Sequence, residues 1–359
     1  MRLVLILLGL LALPVTESAA LTAWPSEPQG LVSPERKTRK GLDWWADGPI
    51  SAESIGHGEY SFLAPNGGDL AQTTGTLADP ADVVSNPAKP IPHPGYPDIA
   101  YLSGGQTYDL GHSRRLMFVH AERYPTGDVK VFYGTIGLAL SDDDGRTWKF
   151  LGEIFRPDLP YEEFRRCRDA VNASFGQFVI ARTAGRRYFY SYSIDHTDSC
   201  VTDYAVFRAP VGQVVRAAKQ GRVSTWHKFD AGEFTQPALG GSFTDILPGA
   251  QTGDFAVTYN SYVDRFLFVY PHQYPRQPYY EWRVAESADG VMWGPPAPLG
   301  HATYGERYAP SLIGTANKPQ TTGRRFWIYY TASLSSGWDR WPTSTLTRQR
   351  VTLAGPPIP

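Results

Sequence analysis

Four carboxylates recur at a comparable point of the chain, each just ahead of a short apolar segment: Asp98 in HPGYPDIAYL, Asp169 in RCRDAVNASFGQFVIA, Asp245 in GGSFTDILPG and Glu306 in GERYAPSLIG. An acid ahead of a buried strand sits readily at the mouth of a channel and badly inside a core, where an unpaired charge is costly. Carboxylates gathered at one mouth can divide acid and base work between them. One, kept protonated by burial and by its like-charged neighbours, gives a proton to a departing oxygen while another activates water or attacks carbon. Cleavage of a glycosidic bond needs that division of labour and calls for no cofactor.

Other polar groups cluster near the same points. FVHAERY sets His120 and Glu122 two residues apart, on one face of a strand. SYSIDH ends a second strand with Asp195 and His196. Tyr96, Tyr101, Trp226, Tyr259, Tyr304 and Tyr308 offer ring faces for a sugar, and Arg168, Arg307 and Asn260 offer hydrogen bonds to hydroxyls. Each has a structural alternative: aromatic residues are 13% of the chain, so most must fill the core. His120 and Glu122 fit a satisfied buried pair as well as a binding pair.

These residues need a scaffold, and the strands supply a repeat. RLMFVHAE, RRYFYSYSID, DRFLFVYPH and RRFWIYYTAS are aromatic, β-branched runs that read as strands buried on both faces. They begin at Arg115, Arg186, Asp264 and Arg324, which stand 71, 78 and 60 residues apart. Each is preceded by a shorter strand (DIAYL, GQFVIA, TDILP, APSLIG) and followed by another, with Trp-led segments beyond three of them. Four antiparallel strands recurring at this period predict an all-β, five-bladed β-propeller of four-stranded blades. Residues 41–90 supply a fifth blade or close the ring with the last strand. VGQVVRAAKQG (211–221) is the best short helix, expected between blades.

SDDDGRTW matches the Asp-box pattern S-x-D-x-G-x-T-W of sialidase-type propellers at Ser141, Asp143, Gly145, Thr147 and Trp148, and SADGVMW gives a shortened copy at Ser287, Asp289, Gly290 and Trp293. In that family such turns lie away from the active site, so Asp143 and Asp289 read as architecture: the carboxylate accepts backbone N–H groups, Gly takes a positive φ and Trp packs beneath. PGYPDIAYL resembles the PGFxPDPS opening of the five-bladed glycosidases of the clan containing glycoside hydrolase family 43. That resemblance implies a secreted hydrolase of furanose- or pentose-containing glycans. It puts Asp98 in the role of general base and Asp169 in that of orienting carboxylate. Where the family shows an acid Glu this chain has Asp245, and a Glu arrives one unit later, at Glu306. The competing readings are a lectin-like propeller that binds a glycan without cleaving it, and a sialidase-like exo-glycosidase, for which IFRPDLP lacks the full arginine motif.

Bulk properties bound the rest. A formal charge of -1 offers no electrostatic case for nucleic acid or an anionic membrane. Residues 1–20 have a basic start, an apolar run and small residues at Ser18 and Ala20, the pattern of a cleaved signal peptide, and no run is long enough to span a membrane. Residues 21–40 read as a linker and 41–359 as one propeller domain, secreted or periplasmic. Cys167 and Cys200 are expected to form a disulfide. The eight histidines show no metal-ligand spacing, so no metal is expected. Asn172, in NAS, matches a glycosylation acceptor.

Overall fold

The computed structural model describes residues 21–275, 278–315, 320–335 and 340–354; the expected signal peptide, 1–20, lies outside them. Strands β1 (Ala23–Pro25) and β2 (Gln29–Val32) and helix α1 (Pro34–Arg39) lead into five antiparallel sheets. The first blade is β3 (Ser51–Gly56), β4 (Glu59–Asn66), β5 (Asp69–Gly75) and β6 (Val83–Lys89). The second is β7 (Tyr101–Gly111), β8 (Arg114–Arg123), β9 (Phe132–Ser141) and β10 (Lys149–Phe155), with β11 (Ala170–Val171) beside β9. The third runs β12 (Phe178–Thr183), β13 (Arg186–His196), β14 (Thr202–Pro210), β15 (His227–Asp230) and β16 (Glu233–Pro237). The fourth is β17 (Ala256–Asn260), β18 (Arg265–Gln273), β19 (Tyr279–Ser287) and β20 (Ala297–Tyr304). The fifth joins β21 (Glu306–Gly314), β22 (Arg325–Ser333) and β23 (Thr345–Leu353) to β1 and β2.

The aromatic strands explain why the blades form a ring. Residues alternate across a strand, so a strand apolar on both faces packs against both neighbouring sheets. In β8, Leu116 and Phe118 join Phe189, Phe207 and Trp226 of the third blade, while Met117 and Val119 join Leu63 and Leu70 of the first. Tyr190 and Tyr192 of β13 meet Phe266 and Phe268 of β18. Leu267 and Val269, on the other face of β18, meet Phe326 and Ile328 of β22. Tyr329 then turns back toward Phe62 and Trp45 of the first blade. Five clusters, one per junction, close the circle.

Three expectations are corrected. The 21–40 segment is not a free linker, because β1 pairs with β23 through Ala23↔Leu353 and Pro25↔Val351, and β2 pairs with the same strand. TDILP is not a strand; the inner strand of the fourth blade is β17, a dozen residues later, because Asp245 accepts the Leu247 N–H in a turn at 2.9 Å. Helix α2 (Val211–Lys219) lies inside the third blade, between β14 and β15, with Val214 and Ala218 packed into the aromatic cluster. The turns at Asp143 and Asp289 join third to fourth strands. Asp143 Oδ1 accepts the Thr147 N–H at 2.8 Å and Gly145 has φ +85°. Asp289 Oδ1 accepts from Val291 and Met292 at 2.8 Å each.

The hub is stitched shut. Gln177 Nε2 donates to the Phe255 carbonyl at 2.5 Å and its Oε1 accepts from Val257, Gln106 Oε1 accepts from Phe178, and Gln320 Nε2 donates to the Thr107 carbonyl. The space left there, about 30 Å³, has room for a water and not for a sugar. A ligand must therefore bind at a mouth.

Candidate active site

One hollow of about 580 Å³ opens where the inner strands begin, and every blade contributes to its wall. Asp47 stands before β3, Tyr101 opens β7, His120, Glu122 and Tyr124 end β8 or follow it, Asn172 and Phe175 precede β12, and Asp254 precedes β17. Arg340 and Trp341 come from α3 (Arg340–Thr343), between β22 and β23. Trp44, Val129 and Phe132 make its remaining apolar wall.

Asp47 is clamped from both sides. The Ala46 carbonyl accepts from Thr331 Oγ1 at 2.9 Å, the Ile50 N–H donates to Ser311 Oγ at 2.7 Å, and the Asp47 N–H donates to the Pro65 carbonyl at 3.1 Å. Gly48 must be glycine, since a Cβ there would lie 2.6 Å from the Phe175 ring. Tyr101 Oη donates to Asp47 Oδ2 at 3.0 Å. Helix α3 is held from below by Lys37 of α1, whose Nζ donates to the Trp341 carbonyl at 3.1 Å and to Ser344 Oγ at 2.7 Å. Burial of that ammonium lowers its pKa to about 8.

The hollow gathers acids. Burial pushes the Asp47 carboxyl well above the usual carboxylate range; the Tyr101 hydrogen bond opposes this, Glu122 and Asp254 push the same way, and Arg340 pulls it back. Glu122 is tied on both oxygens, Oε1 to His120 Nε2 at 2.9 Å and Oε2 to the Tyr124 hydroxyl at 2.6 Å. His120 Nδ1 faces the Ser174 carbonyl at 2.7 Å and must donate there, so its contact with Glu122 needs one more proton, shared by the pair. Asp254 Oδ2 accepts the Ala309 N–H at 2.9 Å, and Oδ1 has no hydrogen-bond partner among the described residues. Arg340 lies 4.6 Å over the Tyr308 ring and donates to Glu306 at 3.3 Å. No group of three or more His, Cys, Asp or Glu among the described residues is arranged to hold a metal ion.

With this geometry in place, similar folds can be compared. The GH62 α-L-arabinofuranosidase catalytic domain of Coprinopsis cinerea aligns with 11% identity and a TM-score of 0.52, covering 92% of this chain and 96% of that one. An α-L-arabinofuranosidase of Podospora anserina, solved with cellotriose, aligns with 12% identity and a TM-score of 0.50, covering 91% and 96%. The fold is that of these propeller glycosidases. No family model matches the chain, and no curated protein matches it in sequence.

On this propeller the residues singled out from sequence fall into different places. His120 and Glu122 line the hollow, as does Tyr101. Glu306 stands behind it, paired with Arg340. Asp98 is ion-paired with Arg123, part of a network that includes the buried Glu153. Asp169 is 72% exposed and 4.0 Å from Arg165. Asp195 is fully buried against Lys228 at 2.6 Å. Tyr96 packs edge-on against Phe150, and Arg168 donates to the Cys200 carbonyl. Asn260 is buried at the end of β17, bonded to Thr322 and Gly323. Tyr304 is 58% exposed beside Tyr279, and Arg307 lies over Trp282 and Tyr330. Cys167 and Cys200 are disulfide-bonded.

Asp98, Asp169, Asp245 and Asp195 therefore do not converge on the hollow; Asp47 and Asp254 do. Both obey the rule of an acid ahead of an inner strand. WWADGP, just before ISAESIG, carried that signal for Asp47. Asp254 was hidden by placing the inner strand at TDILP rather than AVTYN.

Proposed function

We propose that the protein is a glycoside hydrolase acting on a furanose- or pentose-containing glycan, exported from the cell, with Asp47 as proton donor and Asp254 as the carboxylate that activates water. The observation that carries this reading is the convergence of Asp47, Glu122 and Asp254, from three blades, on one hollow walled by Trp44, Trp341, Phe175 and Tyr101. Its volume of about 580 Å³ is in the range of small-ligand pockets. Asp47, protonated by burial, gives its proton to the leaving oxygen as the glycosidic bond breaks. Asp254, with Oδ1 free of partners among the described residues, takes a proton from the water that attacks the anomeric carbon. Glu122, held on both oxygens by His120 and Tyr124, lies beside the reacting centre and is tied too firmly to serve as the base. The likeness of fold to two α-L-arabinofuranosidases supports arabinose-containing substrates first.

The test is a hydrolysis panel of arabinan, arabinoxylan and aryl furanosides, read by reducing ends and by released aryl group. The expected result is turnover of at least one arabinofuranoside, abolished in Asp254→Asn. Reversible binding of a glycan with no release from any panel member would establish the lectin-like reading instead.

A further inference from the structure

The segment leading into β1 carries a polar contact at the first described residue, Leu21. The backbone nitrogen of Leu21 donates to Glu286 Oε1 at 3.2 Å. Glu286 belongs to β19 in the fourth blade, whereas the residues following Leu21 belong to the fifth. The Thr22 carbonyl accepts from Ala354 at 2.8 Å, and pairing with β23 starts at Ala23. The Leu21 side chain packs with the apolar cluster between those two blades, and Leu21, Arg265, Glu286 and Met292 line a hollow of about 350 Å³. Position 21 is also the residue left at the front of the chain by a cut after Ala20, where the small residues Ser18 and Ala20 place it.

We propose that the mature protein begins at Leu21 and that its α-ammonium group is the counter-ion of Glu286, locking the fourth blade to the fifth. A processing peptidase would hydrolyse the Ala20–Leu21 bond, with water supplying the hydroxyl of the new Ala20 carboxyl and a proton of the new Leu21 amine. Before the cut, the carboxylate receives one neutral amide N–H. After it, a charged group with three donors stands in the same place, and a charge-assisted hydrogen bond is about twice as strong as a neutral one. Burial raises the Glu286 pKa, so the carboxylate gains from a counter-ion. Arg265 also faces it and lowers that pKa, but Arg265 Nη1 donates to the Asp264 carbonyl, and no Arg265–Glu286 ion pair forms among the described residues.

The experiment has two arms. The full chain is expressed in an exporting host and the recovered protein is analysed by N-terminal sequencing and intact mass, with Leu21 expected first. Two forms are then made, one starting at Leu21 and one with a short Gly-Ser extension on Leu21, each with Glu286 and with Glu286→Gln. At pH 6 the Leu21 form should melt about 1–2 °C above the extended form, the scale of an ion pair of about 1 kcal/mol in a chain of this size. Glu286→Gln should remove that difference while shifting the extended form by less than about 0.5 °C. The amine's pKa is raised by its partner, so the advantage is complete below the free amine value of about 8 and disappears as pH rises through the folded value. Recovery of a different N-terminus, or an equal effect of Glu286→Gln in both forms, overturns the proposal.

Discussion

Replacing Asp47 with Asn separates its chemistry from its structural role. Asn is close in volume and its amide oxygen can still accept from Tyr101, so the clamp through Ala46 and Ile50 should persist. Burial raises the native carboxyl's pKa above its unfolded value of about 3.9. The native state therefore binds the proton more tightly, and stability falls as pH rises from about 4 toward the folded value, a loss that Asn does not suffer. Asp47→Asn should thus melt no lower than wild type at pH 7. Its turnover is another matter: a general acid contributes about a hundred- to ten-thousand-fold, or about 3–5 kcal/mol of barrier. That contribution is needed when the leaving group is a sugar alkoxide and largely dispensable when it is a dinitrophenolate. The assay compares kcat/KM on an arabino-oligosaccharide and on a dinitrophenyl arabinofuranoside across pH. A loss of about a thousandfold on the first, within about tenfold on the second, and disappearance of the alkaline fall in rate are expected. Equal losses on both substrates would refute the donor assignment and move Asp47 to the base role. A melting temperature lowered by several degrees would refute the electrostatic reasoning.

Asp98→Asn and Asp169→Asn should leave kcat/KM within about twofold of wild type, because neither side chain lines the hollow; substrate titrations on purified variants check this. Lys37→Met should loosen α3 and raise KM through Arg340 and Trp341. Because its folded pKa of about 8 lies below the unfolded one, wild-type stability should rise with pH between about 8 and 10, and that slope should vanish in the variant. Denaturation at stepped pH reads it. Lys228→Ala strands the buried Asp195 carboxyl, at a cost of about 3–5 kcal/mol, visible in urea unfolding. Cys167→Ser with Cys200→Ser opens a loop of 33 residues and should cost about 4 kcal/mol by chain entropy, seen by calorimetry.

The blades were legible because their signal is local. A strand apolar on both faces has two sheets to pack against, and RLMFVHAE or DRFLFVYPH announce this without reference to anything distant. His120 and Glu122 were legible for the same reason: spacing along one strand places two side chains on one side of it. The N-terminal strand was not, since AWP carries no apolar alternation and becomes a strand only by pairing with β23 across more than 300 residues.

Local pattern alone yields the aromatic strands, a propeller period, the turns at Asp143 and Asp289, and carboxylates ahead of inner strands; it does not yield the pairing of residues 21–40 or the start of the fourth inner strand. Tertiary structure decided which carboxylates meet. In a radial fold every blade offers acids near its inner strand, and where that strand starts settles whether a side chain faces the axis or a neighbouring arginine. Asp98 lies three residues before β7 and pairs with Arg123, whereas Tyr101, which opens it, reaches Asp47. Such choices rest on contacts between blades far apart in the chain, which no local pattern encodes.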